Sequence, residues 1–168
     1  MRINPKTLLA LSCAAIAMSA PALAVPAHPG DVVNLSGTTL VAEPWHGGPA
    51  IDGANVIPFT ILDAGNNPVF QGTFTSEPSR SDIMGTVRIR YRVRDMQAIG
   101  VRRVVRFEML GFAGFQTNVE YRTDGSGDIG PNLASRTNGD GAQITFIYGN
   151  PLFTPNLDSY FCHVFTNA

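Results

Sequence analysis

From residue 32 onward, apolar residues alternate with polar ones in short runs, and segments rich in glycine and proline separate the runs. A side-chain period of two marks a strand with one buried face. The pattern predicts strands over 32–42, 56–62, 69–76, 85–95, 101–110, 116–123, 142–148 and 159–166. Asp63-Ala64-Gly65-Asn66-Asn67-Pro68 is rich in residues that tolerate tight turns, so the second and third strands read as a hairpin. Residues 98–105 have room for a turn at most, and 124–141 read as loop. Eight or nine strands with no convincing helix predict an all-β chain, an antiparallel β-sandwich, with a jelly-roll-like arrangement among its forms. The strand 85–95 is the clearest. Val87, Ile89, Tyr91 and Val93 share one face, and Arg88, Arg90, Arg92 and Arg94 share the other.

The start of the chain has a different pattern. Arg2 and Lys6 precede an apolar run from Leu8 to Met18, and Ala22-Leu23-Ala24 places small residues where a signal peptidase reads them. The run is shorter than the roughly 20 apolar residues that span a bilayer. Residues 1–24 therefore read as a cleaved export signal, and 25–168 as one domain. Acylation at Cys13 is a weaker alternative, because Ala10-Leu11-Ser12 is a poor lipoprotein context and a cut there would leave an apolar segment on the mature chain.

Excision changes the composition. The 12 basic residues lose Arg2 and Lys6, and the remaining 10, all arginine, face 13 acidic ones, for a net charge of −3. That balance argues against a polycationic nucleic-acid binder. One cysteine, Cys162, remains, so no intramolecular disulfide can form. It lies in an apolar alternating run and is expected to be buried and inert, with an intermolecular disulfide as the sharper alternative.

Three features are candidates for chemistry. Arg88, Arg90, Arg92 and Arg94 could bind an anionic polymer, because a guanidinium pairs bidentately with phosphate or carboxylate. The competing reading is a solvated face paired across the sheet with Asp95, Glu108 and Glu120. Asp124, Ser126 and Asp128 loosely resemble the oxygen ligands of a calcium loop, although Ile129 stands where an EF-hand needs glycine and no glutamate closes the loop. Trp45-His46, in a glycine- and proline-rich loop, could form a sugar-stacking tip, or could cover one end of the core. His28, His46 and His163 lack metal-ligand spacing. No nucleophile elbow is present, and nothing in the spacing of Glu43, Glu77, Glu108 and Glu120 marks a glycosidase pair.

Several stretches carry a family resemblance: Phe70-Gln71-Gly72-Thr73-Phe74-Thr75-Ser76, Gly85-Thr86-Val87-Arg88-Ile89-Arg90-Tyr91-Arg92-Val93, Val119-Glu120-Tyr121-Arg122-Thr123-Asp124, Ile144-Thr145-Phe146 and Thr166-Asn167-Ala168. Over about 70–168 the chain resembles the β-rich ectodomains of bacterial exported proteins that often carry a PEP-CTERM sorting tail. The resemblance implies a surface or extracellular-matrix component without an assigned reaction. The sequence ends at Ala168 without a Pro-Glu-Pro motif, an apolar helix or a basic tail, so the expectation is a released protein, in the periplasm or outside the cell.

The leading expectation is a non-enzymatic exported sandwich that acts by binding or assembly, with anionic or neutral polysaccharide as partner, no specific nucleic acid and no membrane span in the mature chain. No cofactor other than calcium is indicated. The alternatives are a carbohydrate-active enzyme or lectin-like module, with its site around Trp45-His46 or 124–140, and a structural subunit that assembles by strand addition at a sheet edge.

Overall fold

The computed structural model describes residues 24–98, 104–149 and 156–168. The segment read as an export signal lies outside the described residues up to residue 23, Cys13 included, as does the start of the strand expected over 101–110. Ten strands form: β1 (Val25–Pro26), β2 (Val32–Asn34), β3 (Asn55–Leu62), β4 (Pro68–Arg80), β5 (Val87–Ala98), β6 (Arg106–Leu110), β7 (Thr117–Tyr121), β8 (Leu133–Arg136), β9 (Gln143–Ile147) and β10 (Cys162–Thr166). They make a six-stranded sheet in the order β1-β7-β10-β5-β4-β3 and a four-stranded sheet in the order β2-β8-β9-β6. Every strand pair in both is antiparallel. The chain is an all-β sandwich, with two strands that the alternation did not reveal, β1 and β8.

The β3–β4 hairpin is fixed at its turn. Asp63 Oδ1 accepts the amides of Gly65 at 2.8 Å and Asn67 at 2.9 Å, and Asn66 takes a positive φ of 62°. β5 pairs with β10 from Val87↔Thr166 to Tyr91↔Cys162. That register sends Ile89, Tyr91, Val119, Cys162 and Val164 to the inner face of the large sheet, where they meet Met109, Ala134, Ile144 and Phe146 of the small one. Val119, Val164, Ile144, Phe146 and Cys162 are fully buried. Burial pushes the Cys162 thiol up to about 12, and Tyr148 Oη lies 3.6 Å from its sulfur.

One buried polar side chain ties the two sheets together. Arg136 ends β8 on the inner face and is 4% exposed. Its Nε–H donates to Gly141 O at 2.8 Å. One terminal nitrogen donates to Ala27 O at 2.9 Å and Thr117 Oγ1 at 3.1 Å, the other to Phe112 O at 2.7 Å and Phe115 O at 2.8 Å. All five N–H groups of the guanidinium are used. Thr117 belongs to β7 and Ala27 follows β1, so a residue of the small sheet holds the edge of the large one.

Replacing Arg136 by Leu removes the donor to the Gly141 and Phe115 carbonyls, while Ala27 O keeps Thr117 and Phe112 O keeps the Phe115 amide. The substitution is expected to lower stability by about 3 kcal/mol or more, read as a fall in the urea midpoint with an unchanged m-value.

Candidate functional site

The arginines of β5 lie on the outer face of the large sheet, and that face is covered. β2 belongs to the small sheet and β3 to the large one, so residues 35–54 must cross between them. The crossing segment is tied down at both ends. Near its start, Thr38 N–H donates to Tyr121 O at 2.9 Å, and Thr123 N–H donates to Thr38 O at 2.8 Å. Near its end, Ala50 bridges Ser79, and Ile51 N–H donates to Pro78 O at 2.9 Å. Between them a single 3-10 turn, Pro44–His46, sits over β10. The His46 ring stacks on His163 at 4.8 Å and meets Phe165 at 4.6 Å. Gly48 (φ 126°) allows the close approach, since a Cβ there would lie 2.0 Å from the Arg80 carbonyl oxygen.

A polar interior lies under this cover. Glu43, His46, Arg88, Glu120 and His163 are all fully buried. Glu120 Oε1 accepts the amides of Tyr121 at 3.0 Å and Gly37 at 3.1 Å, and its other oxygen has no partner among the described residues. Arg88 Nε–H donates to Ser79 Oγ at 2.9 Å, while its two terminal nitrogens have no partner among the described residues. Neither histidine ring makes a hydrogen bond. Glu43 Oε1 accepts the amide of Ala24, and Oε2 sits 2.5 Å from His46 Nε2 without hydrogen-bond geometry.

Burial sets the protonation states. It lowers His46 to about 3, with Arg88 and Arg122 adding to the effect. Burial, then His46 and the nearby arginines, holds His163 well below its ordinary value. Burial raises Glu43, and it pushes Glu120 up to about 7 with a smaller contribution from the Glu43 charge. Arg88 falls to about 10, first from burial and then from Arg122.

The four arginines singled out from the sequence are thus divided. Arg88 and Arg92 are buried, Arg90 is half-buried and Arg94 is exposed. Arg90 pairs with Glu77, and Arg92 and Arg94 share Asp158 at 2.9 Å and 3.3 Å. Arg90 and Arg92 lie over the Phe161 ring at 5.5 Å and 5.3 Å. Glu108 pairs with Arg106 instead. Asp124 Oδ1 accepts from Arg122 Nε at 2.8 Å and Oδ2 from the Leu40 amide at 2.7 Å. Asp128 Oδ2 accepts the Asp158 amide at 2.9 Å, and Ser126 is exposed. Among the described residues no group of three or more His, Cys, Asp or Glu side chains could hold a metal ion.

The 3-10 turn also walls an open cavity of about 450 Å³. Trp45, Phe165 and Met84 supply its apolar surface. Gln116, Asn118 and Asn167 supply three carboxamides, with hydroxyls from Thr86 and Thr166. Ala24 completes the wall, and among the described residues no ionisable side chain lines the cavity. Asn167 is held in place, its Oδ1 accepting the Gln116 amide at 2.9 Å. Trp45 was legible as a candidate from the sequence. Its carboxamide neighbours were not, because they come from the start of β7 and the chain beyond β10 and meet only through the β7–β10 register. No family model, curated protein or solved structure matches the chain.

The titrations of Glu120 and His46 act in opposite directions. Folding holds the Glu120 proton up to about pH 7, whereas the unfolded chain releases it near 4.5, so that stability is complete below 4.5 and lost as pH rises to 7. His46 contributes stability that is complete above pH 6.5 and lost as pH falls towards 3. Glu120→Gln is expected to gain stability over the native chain between pH 4.5 and 7, by up to about 3 kcal/mol. Urea unfolding at a series of pH values checks this; a gain independent of pH would refute it.

Proposed function

We propose that the protein is an exported, non-catalytic sandwich that binds a neutral saccharide unit in the cavity beside Trp45. The lining of that cavity carries the reading. An indole offers a flat apolar surface to the C–H face of a sugar ring. Carboxamides both donate and accept, which matches hydroxyl groups. The volume is within the range of small-ligand pockets. The described side chains that line it include no acid or base, and this favours binding over hydrolysis. Export is supported by the N-terminal pattern of the sequence. Among the described residues, no helix is long and apolar enough to cross a membrane.

Assembly through a sheet edge is the second reading, favoured by β3. This eight-residue edge strand has no charged residue and exposes Val56, Ile57, Ile61 and Leu62. Pro58, in the middle of β3, lacks an amide to donate and weighs against it.

Calorimetric titration of the chain from residue 25 against a panel of neutral and acidic oligosaccharides tests the proposal. A neutral glycan is expected to bind, with at least tenfold loss in Trp45→Ala, a smaller loss in Asn118→Ala and no change in Arg94→Ser. Failure of every neutral glycan to bind, or equal binding by Trp45→Ala, would overturn it.

A further inference from the structure

The Glu43 site has an unusual partner. This carboxylate is fully buried, and the group that reaches Oε1 is a main-chain amide, that of Ala24. Ala24 is the last residue of the export signal read from the sequence. The chain immediately after it is firmly held. Val25 pairs with Val119, and the Ala27 amide donates to Thr117 O at 2.9 Å. Ala27 O in turn accepts from Thr117 Oγ1 at 3.0 Å and from Arg136 at 2.9 Å. A terminus created here has its first residues pinned against the sheet, beside a buried carboxylate whose second oxygen has no hydrogen bond among the described residues.

We infer that the α-ammonium group freed by cleavage after Ala24 takes the place of the Ala24 amide and forms a buried ion pair with Glu43. The inference rests on the export reading above. The Val25 nitrogen lies roughly 3.5 Å from that of Ala24 and stays in register with Val119 of β7, and as an ammonium it has donors for that strand and for Glu43 at once. An amide brings one donor and no charge. An ammonium brings three donors and a full positive charge, enough to serve both Glu43 oxygens. The nearby groups give Glu43 no such partner. His46 is neutral in these surroundings, His163 stacks behind it, Glu120 holds its own proton up to about pH 7, and the Thr38 hydroxyl brings no charge. Arg88 is spent in part on Ser79. The hydrolysis itself is the signal peptidase's: water adds across the Ala24–Val25 bond, and the new amine takes up a proton. The uncut chain thus folds with an unmatched carboxylate, and the cut chain with a matched one.

The test compares a chain that begins at Val25, released without a scar from a fusion, with the same chain preceded by Gly-Ser, each with Glu43 intact and as Glu43→Gln. The extension is expected to lower the melting temperature by about 3–6 °C with Glu43 and by no more than about 1 °C with Gln. The Val25 amine is expected to react with an acylating reagent at pH 7 about tenfold more slowly in the folded protein than in urea. This second readout holds even if the Gln variants fail to fold. An equal loss in both pairs, no loss in either, or full amine reactivity would overturn the inference. The mass of the chain recovered after export tests the cut separately. An intact signal refutes the export reading whatever the melting series shows.

Discussion

Two sheets pressed face to face bury their inner side chains only if their ends are kept from sliding apart, and among the described residues the one cysteine, Cys162, is free and buried, so no disulfide does this. Arg136 supplies the constraint. A cation in an apolar interior is costly unless every donor is used, and here every donor is used, on oxygens that belong to four separate stretches of backbone and side chain. The same five bonds bring β1, the start of β7, the 112–115 turn and the 141 loop to one point. The positions of Ala24, Gln116 and the cavity beside Trp45 follow from that anchorage.

The sandwich has a second interior built on the opposite principle. Between the sheets the core is an apolar cluster, with Arg136 at its margin using all its donors. Under the 35–54 crossing, five ionisable side chains are shut away from water with part of their hydrogen-bonding capacity unused. Such clusters contribute less to stability than an apolar filling of the same volume would. Arg136 and Arg88 show the contrast within one residue type: each is almost entirely hidden, yet one satisfies all its donors and the other only Nε among the described residues.

The alternation of β5 was legible because period two survives whatever lies on either side of it. What covers its arginines was not, since the cover comes from a segment some forty residues earlier that reads as the end of a strand followed by a glycine- and proline-rich loop. Of that expected strand Val32–Asn34 lies in the small sheet; beyond it Gly37 turns the chain over the large one, where Thr38 bridges Arg122. β8 was hidden for a related reason. Leu133-Ala134-Ser135-Arg136 puts an arginine at an inward position, so the pattern reads as loop although the residue is buried. Trp45 was visible as a lone aromatic among glycines and prolines. The carboxamides around it depend on strand register, which no local pattern encodes.

The indole has a consequence of its own. The chain contains one tryptophan, and it stands half-buried in the wall of a cavity that Met84 and Phe165 also line. Near-ultraviolet emission excited at the red edge of protein absorption therefore comes from a single place. The native protein carries a built-in optical reporter of whatever enters or leaves that space, requiring neither label nor engineered residue.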